Sequence, residues 1–302
     1  MDGSWFDPAG KVTSFSKEMQ NLMEQSRARR YAKSVLPASV ARRISQVLNA
    51  NNRPPQPKFP DVQALPSMEP GSTVLFGKDF EFVDGYSFLF LHDEIIEKEI
   101  YKFSTDDSAP YIIDGGANIG LSVLYFKQLY PNARILAFEP DPDIFAVLQR
   151  NCSNYELAEV QLIDRALWVE NGFLGFRKDG SLGGRLAADD KSLPDVEVPT
   201  QRLRDLLHTR VTLLKLDIEG AETEVLEDCA DLLVNVENLF VEYHSFADSP
   251  QSLHRLLTVI HEAGFRTHFH VYEPSPQPLF QRTIREGIDR VDMNLDIFAY
   301  RN

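Results

Sequence analysis

The chain has 302 residues, 43% of them hydrophobic and 25% charged, enough to bury a sizeable core in one large domain or two small ones. Its formal net charge of −14 argues against non-specific attachment of the main body to nucleic acid or anionic lipid, since both would repel it. Two cysteines, Cys152 and Cys229, are too few for a disulfide framework and no apolar run reaches the length of a membrane span, so a cytoplasmic protein with buried thiols is expected.

The opening stretch MDGSWFDPAG lacks the charged and apolar regions of a secretory signal. Residues 17 to 48 then read as two helices, with Met19, Leu22, Met23 and Ser26 at helical spacing and Val40, Ile44, Val47 and Leu48 following suit after Pro37. From Gln25 to Pro60 there is no acid, while Arg27, Arg29, Arg30, Lys33, Arg42, Arg43, Arg53 and Lys58 are basic. This arm opposes the sign of the body, and a solvated face, a docking or homo-oligomer contact and a hold on an anionic substrate are all open readings. NNRPPQPKFPDVQALPSMEPG reads as an extended connector, so residues 1 to 70 form an N-terminal helical extension ahead of a main domain over 71 to 302.

Residues 71 to 104 predict short alternating strands with a turn at Asp84-Gly85 and a helix from about His92 to Phe103. From Tyr111 the rhythm becomes strand, helix, strand, helix. Strands are expected over 111 to 114, 134 to 138, 159 to 163, 211 to 216, 238 to 243, 265 to 272 and 293 to 300, and helices near 119 to 130, 141 to 152, 220 to 234 and 250 to 263. Between them, ALWVENGFLGFRKDGSLGGRL suggests a hairpin turning at Asn171-Gly172 and a glycine-rich loop. Repeated βα units imply a doubly wound α/β domain around a mainly parallel sheet, with runs such as VTLLKL buried on both sides.

Ligands of such sheets bind outside the carboxyl ends of the strands, where this sequence sets a row of acids: Asp114, Glu139, Asp164, Asp217 and Glu242. One acid there caps a turn or a helix, but successive carboxylates along one edge repel and suggest a cationic or hydroxyl-rich ligand. Beside Asp114, Gly115, Gly116 and Gly120 allow a tight turn and close backbone approach, and Asn118 tolerates a left-handed conformation. Read from Gly115 through Ala117 to Gly120, the loop also fits a nicotinamide fingerprint with Glu139 on the ribose, although Asp114 beside the turn disfavours a pyrophosphate.

The run DGGANIG, followed by FEPDP, LLKLDIEGAE and VEYH, resembles the FkbM family of S-adenosylmethionine-dependent methyltransferases from about Glu94 to Tyr300. The resemblance implies a class I methyltransferase fold, Rossmann-like and seven-stranded, with the last strand (MNLDIFAYR) inserted antiparallel. It implies that the methionine part of the cofactor lies at Asp114, Gly115, Gly116, Ala117, Asn118 and Gly120. The ribose hydroxyls would then lie at Glu139 beside Pro140, and the adenine near Asp164, Arg165 and Ala166. Asn118 stands where the broader class has glycine.

Such a cofactor carries a sulfonium cation that a carboxylate-lined edge offsets, and it has no phosphates to repel. Transfer of its methyl group is an in-line displacement, so positioning dominates the acceleration, and an alcohol acceptor also needs a base. Asp217, Glu242 and His244 are the catalytic candidates, Asp217 also counting among the cofactor-binding residues, with His244 preferred as base because a neutral imidazole is available near pH 7. Against these roles, His244 can simply end a strand, and Asp217 and Glu219 can cap the next helix, a role preferred for Glu219. A divalent metal on Asp217, Glu242 and His244 is weighed and not favoured, and no metal site is assigned. His268 and His270 read as a structural pair, and Tyr101, Glu97 and Glu99 as cofactor cover or ordinary helix residues.

The expected activity is O-methylation of a small-molecule acceptor such as a sugar, polyketide or other specialised metabolite. A nicotinamide oxidoreductase and a non-catalytic scaffold are the alternatives. Acceptor choice is expected in the loops, where Arg185, Arg282 and Arg285 are candidates for an anionic acceptor.

Overall fold

The computed structural model describes residues 58–66, 68–178, 184–186, 195–246, 249–271 and 291–301. The helices expected within 17 to 48 lie outside the described residues, as do Arg282, Arg285 and the side chain of Arg185. The connector is not extended throughout. Pro60, whose ring presets a helical φ, opens a single turn, α1 (Pro60–Gln63), which buries Val62. Phe59 packs edge-on against Phe88 with ring centroids 5.3 Å apart.

Strands β1 (Gly71–Leu75) and β2 (Lys78–Phe82) form an antiparallel hairpin. Its turn lies at Phe76-Gly77, both left-handed with φ of 47° and 82°, the twist that two-residue hairpin loops require. The turn expected at Asp84-Gly85 is instead a helix start. The Asp84 carboxylate accepts from Ser87 N at 2.8 Å and Ser87 Oγ at 2.6 Å and caps α2 (Gly85–His92), which runs on as a π-helical turn, Asp93–Glu97. Asp-Gly serves a hairpin or an N-cap equally well, and only the packing of Phe88 beneath the hairpin decides between them.

The alternating part follows as β3 (Tyr111–Gly115), α3 (Leu121–Leu129), β4 (Arg134–Phe138), α4 (Pro142–Asn154) and β5 (Val160–Ile163). Next come β6 (Ala166–Trp168), β7 (Gly172–Arg177), β8 (Arg185–Leu186), β9 (Val196–Arg202), β10 (Val211–Leu216) and α5 (Glu222–Asp228). The chain closes with β11 (Val236–Phe246), α6 (Leu253–Glu262), β12 (Arg266–Val271) and β13 (Val291–Tyr300).

Seven of these strands make one mixed sheet in the order β12-β13-β11-β10-β3-β4-β5. Four neighbouring pairs are parallel (β11 with β10, β10 with β3, β3 with β4, β4 with β5), and β13 is antiparallel to both β11 and β12. Helices cover both faces. On one, Val123, Phe126 and Phe240 are buried in a single cluster; on the other, Leu214, Val225 and Ile260 are. Each large apolar side chain buried this way contributes roughly 1.5–3 kcal/mol. Cys152 and Cys229 are both buried and free.

A second sheet was not foreseen. Its order is β6-β9-β7-β8, with β6 parallel and β7 antiparallel to β9. Asn171-Gly172 therefore does not close a hairpin, because β9 lies between the two strands it was expected to pair. The Asn171 side chain instead accepts from Arg202 N at 3.0 Å and donates to Asp205. Among the described residues no helix is long and apolar enough to cross a membrane.

Candidate active site

The sheet order converts acids scattered over the sequence into one row: Asp164, Glu139, Asp114, Asp217 and Glu242 follow or lie within β5, β4, β3, β10 and β11, which are neighbours in that order. Glu242 does not end its strand, since pairing with β13 carries β11 on to Phe246. A cleft with about 990 Å³ of free space, part of it open to solvent, runs along this edge. Ala117, Glu139 and Ala166 line one end of it, and Asp217, Glu219 and Glu242 the other.

The glycine loop enters from β3. Gly116 has φ of 79°, and a Cβ there would stand 1.8 Å from the carbonyl oxygen of Asp217, so both conformation and space demand glycine. Gly116 N and Ala117 N donate to Phe138 O at 3.0 and 2.8 Å, which ties the loop to β4. Asn118 is left-handed, with φ of 47°, and its N donates to Glu139 Oε2 at 3.0 Å. Gly120, also left-handed, opens α3.

Asp114 is not at the lip of the turn but beneath it, with no exposed surface. Ser122 Oγ donates to its Oδ2 at 2.6 Å, and Lys215 Nζ lies 3.1 Å from its Oδ1 as an ion pair without hydrogen-bond alignment. Lys215 is the residue that sequence reasoning missed. Buried in β10, it donates to Gly116 O at 2.8 Å and Gly115 O at 3.2 Å and stands 3.5 Å from Asp217 Oδ2 and 5.5 Å from the Tyr101 ring centre. Burial opposes its charge, but Asp114, Asp217 and Glu242 outweigh burial and hold its pKa above the ordinary value. The row of acids is thus not a bare anionic edge. The signal was present in VTLLKL, because a lysine in a strand covered on both faces has to find carboxylates.

Glu139 is buried, and its two carboxylate oxygens accept from Asn118 N and, at 2.9 Å, Asp141 N. Burial pushes its pKa up to about 8 against those two donors. Pro140, Arg165 and Ala166 line the cleft beside it. Asp164 is exposed and does not line the cleft, and neither do Asp114, Gly115 and Gly120.

At the other end, five groups meet. His244 is buried behind Asp217 and Glu242, with Nδ1 3.3 Å from Glu222 Oε1 and Nε2 3.4 Å from Glu219 Oε2 and 3.5 Å from Glu242 Oε1. Burial opposes protonation of the imidazole, yet Glu219, Glu222 and Glu242 together hold its pKa well above the ordinary value. The neutral imidazole expected of a base is therefore not what its neighbours favour, and His244 does not itself line the cleft. Burial and Glu242 push Asp217 up to about 7. Glu242 is held low despite burial by His244 and by Asn294, whose Nδ2 donates to Oε1 at 2.7 Å.

The capping role preferred for Glu219 belongs to Glu222, which accepts from Ile218 N at 3.1 Å and Gly220 N at 3.0 Å just ahead of α5. Glu219 is left-handed (φ of 55°), a conformation uncommon outside glycine, and it lines the cleft. Tyr101 reaches the cleft, and burial together with Asp217, Glu242, Asp114 and Asp296 keeps its phenol neutral, with a pKa well above the ordinary value. Glu97 and Glu99 do not line the cleft. His270 finds a partner that sequence distance concealed, Asp296 Oδ2 at 3.1 Å across the β12–β13 pair.

Comparison with known proteins agrees with this geometry. The family model for the methyltransferase FkbM domain matches residues 114–267. "Methyltransferase 1" of Beauveria bassiana is 32% identical over 202 residues, covering 58% of this chain and 80% of that protein. "Methyltransferase sdnD" of Sordaria araneosa is 34% identical over 174 residues, covering 46% and 67%. "31-O-demethyl-FK506 methyltransferase FkbM" of Streptomyces tacrolimicus is 28% identical over 178 residues, covering 47% and 68%. With half of its length matched by that model, from the acid of the glycine loop to β12, the chain belongs to the FkbM methyltransferase family.

Proposed function

We propose that the protein is an S-adenosylmethionine-dependent O-methyltransferase acting on a hydroxyl of a small-molecule acceptor. The observation that carries this reading is the single cleft that joins the glycine loop and Glu139 to Asp217 and Glu242. The strand order, with one reversed strand between β11 and β12, supports a class I methyltransferase fold, and the relative whose name specifies a 31-O-demethyl substrate supports oxygen as the acceptor atom.

The residues present fit the cofactor. Glu139 is a buried carboxyl with two backbone donors, too few to hold it ionised at its ordinary pKa, and a ribose diol supplies two more. There is no phosphate-binding lysine in the loop; the nearby Lys215 is already engaged by Asp114 and two loop carbonyl oxygens. Excess carboxylate at the far end of the cleft offsets a sulfonium. When bound, S-adenosylmethionine supplies the methyl group as an electrophile.

The chain's own residues then do the following. Lys215 pins the Gly115–Gly116 backbone and so fixes the floor of the methionine end. Glu139 orients the ribose, with Arg165 and Ala166 beside the adenine end. Asp217 and Glu242 face the cleft where an acceptor hydroxyl would enter, and one of the two would take the single proton the hydroxyl gives up as the methyl group passes from sulfur to oxygen. His244 holds Glu242 in place as a positioning residue. Calorimetric titration with S-adenosylmethionine, S-adenosylhomocysteine and NAD tests the reading. Both adenosyl ligands are expected to saturate one site and to weaken in Glu139→Ala, whereas binding of NAD alone overturns it.

A further inference from the structure

We propose that Asp217, Glu242 and His244 form a binding site for one divalent cation, of the Mn²⁺ or Mg²⁺ kind, at the acceptor end of the cleft. One ligand atom from each of the three lies within 4.8 Å of the others. The histidine is already held as metal-bound imidazoles are held: Glu222, almost wholly buried and fixed by Ile218 N and Gly220 N, takes the Nδ1 side and leaves Nε2 turned toward Glu242 and Glu219. The separations of 3.3, 3.4 and 3.5 Å exceed those of close charge-assisted hydrogen bonds, about 2.7–2.9 Å. Glu222 thus holds the Nδ1 side by a long hydrogen bond, while the two carboxylates on the Nε2 side stand farther off, at 3.4 and 3.5 Å.

An independent observation comes from the neighbouring strand. Asp296 is the register partner of Glu242, so both side chains stand on one face of the sheet, and Asp296 has no exposed surface while its Oδ1 has no hydrogen-bond partner. Asn294, the register partner of His244, donates its amide to Glu242 and leaves its own buried Oδ1 without a partner. Orphaned buried oxygens on this face call for a cation or an ordered water. Lys215 is engaged by Asp114, the loop carbonyl oxygens and, at 3.5 Å, Asp217, while Asp296 Oδ2 is paired with His270; among the described residues Glu219, Glu222 and Glu242 are left to share one imidazole, with no ammonium within salt-bridge distance of them.

Two carboxylates and one imidazole make a mainly hard donor set that suits Mn²⁺ or Mg²⁺ better than a thiolate-seeking metal. Coordination through Nε2 would release that nitrogen's proton to solvent, and the incoming double charge would replace the lost positive charge among the carboxylates. On the methyltransferase reading, on which this role rests, the ion draws in an acceptor that offers adjacent oxygens, and acceptors with a vicinal diol or hydroxy-acid group become the preferred class.

The test is a titration of the full chain with Mn²⁺ alone, following free Mn²⁺ by electron paramagnetic resonance. One saturable site per chain is expected, weakened about tenfold or more in Glu242→Gln and in His244→Ala and unchanged in Glu262→Gln, an exposed acid on α6. Should the first two variants fail to fold, the wild-type protein still decides: Mn²⁺ is expected to broaden the His244 imidazole resonances before those of the exposed His254 and His261. No saturable site, equal affinity in the variants, or broadening that begins elsewhere overturns the proposal and leaves the cluster as an ion-pair network. Mn²⁺ binding without S-adenosylmethionine binding removes only the methyl-transfer reading, and the reverse result removes only the metal.

Discussion

The two ends of the cleft handle charge in opposite ways. At the glycine loop, Asp114 faces Lys215 and Ser122, and the loop amides and carbonyl oxygens find partners, so that end is closed and internally balanced before anything binds. At the far end, Glu219, Glu222 and Glu242 converge on one imidazole at distances above 3.2 Å, with Asp296 behind them carrying an unpartnered oxygen. The balanced end is scaffold as well as site, because a buried charge pair holds a strand and a loop together. The unbalanced end gains little stability from its own arrangement and is better explained by a cationic ligand.

The sharpest way to break the comparison is to unbalance the balanced end. Lys215→Met leaves Asp114 buried beside an apolar chain, and a loss of about 3–5 kcal/mol in unfolding free energy is expected by urea denaturation. Adding Asp114→Asn to the same chain is expected to recover a large part of it; no recovery means that the pair is not what Lys215 contributes. Gly116→Ala comes next. Its Cβ cannot fit 1.8 Å from Asp217 O, and the loop has to shift at a cost of about 3 kcal/mol, read as loss of S-adenosylmethionine binding by calorimetry.

Smaller effects sharpen the contrast. Glu139→Gln replaces one carboxyl oxygen with an amide nitrogen that cannot accept, and a fall in S-adenosylmethionine affinity of roughly tenfold to a hundredfold is expected, matching about 1.5–3 kcal/mol. The same variant tests a pH dependence. The folded state raises the Glu139 pKa from 4.5 to about 8 by burial, so its contribution to stability is full below the unfolded value and fades as pH rises through about 8. Wild-type stability is therefore expected to fall across that window and the variant's to fall less; parallel profiles in urea would remove burial of Glu139 as the cause. The smallest effect lies outside the cleft. Asp84→Ala deletes the cap of α2 and is expected to lower the melting temperature by roughly 2–4 °C, a cost of about 1 kcal/mol.

Much of the alternating core was legible because its rules are local. Apolar runs of strand length, helical spacing after Gly120 and Pro142, and turn residues between them place β3, β4, β5, β10 and α3, α4 within one or two residues of where they lie. What was misread depends on partners distant in sequence. Asp84-Gly85 chose a cap over a turn because Phe88 packs under the hairpin, and β9 was missed because it pairs with β7 and β6 about twenty or more residues earlier.

The sequence by itself determined the family, the glycine loop and the set of acids, since these rest on residue identities at short spacing. Tertiary structure alone decided what the acids do. Strand order set Asp217 and Glu242 at the cleft and Asp164 outside it, burial turned Asp114 toward Lys215, and the cross-strand register brought Asp296 beside Glu242. The physical reason is that charge acts through space and through the local dielectric, and neither the distance between two groups nor their exclusion from water is written in their separation along the chain.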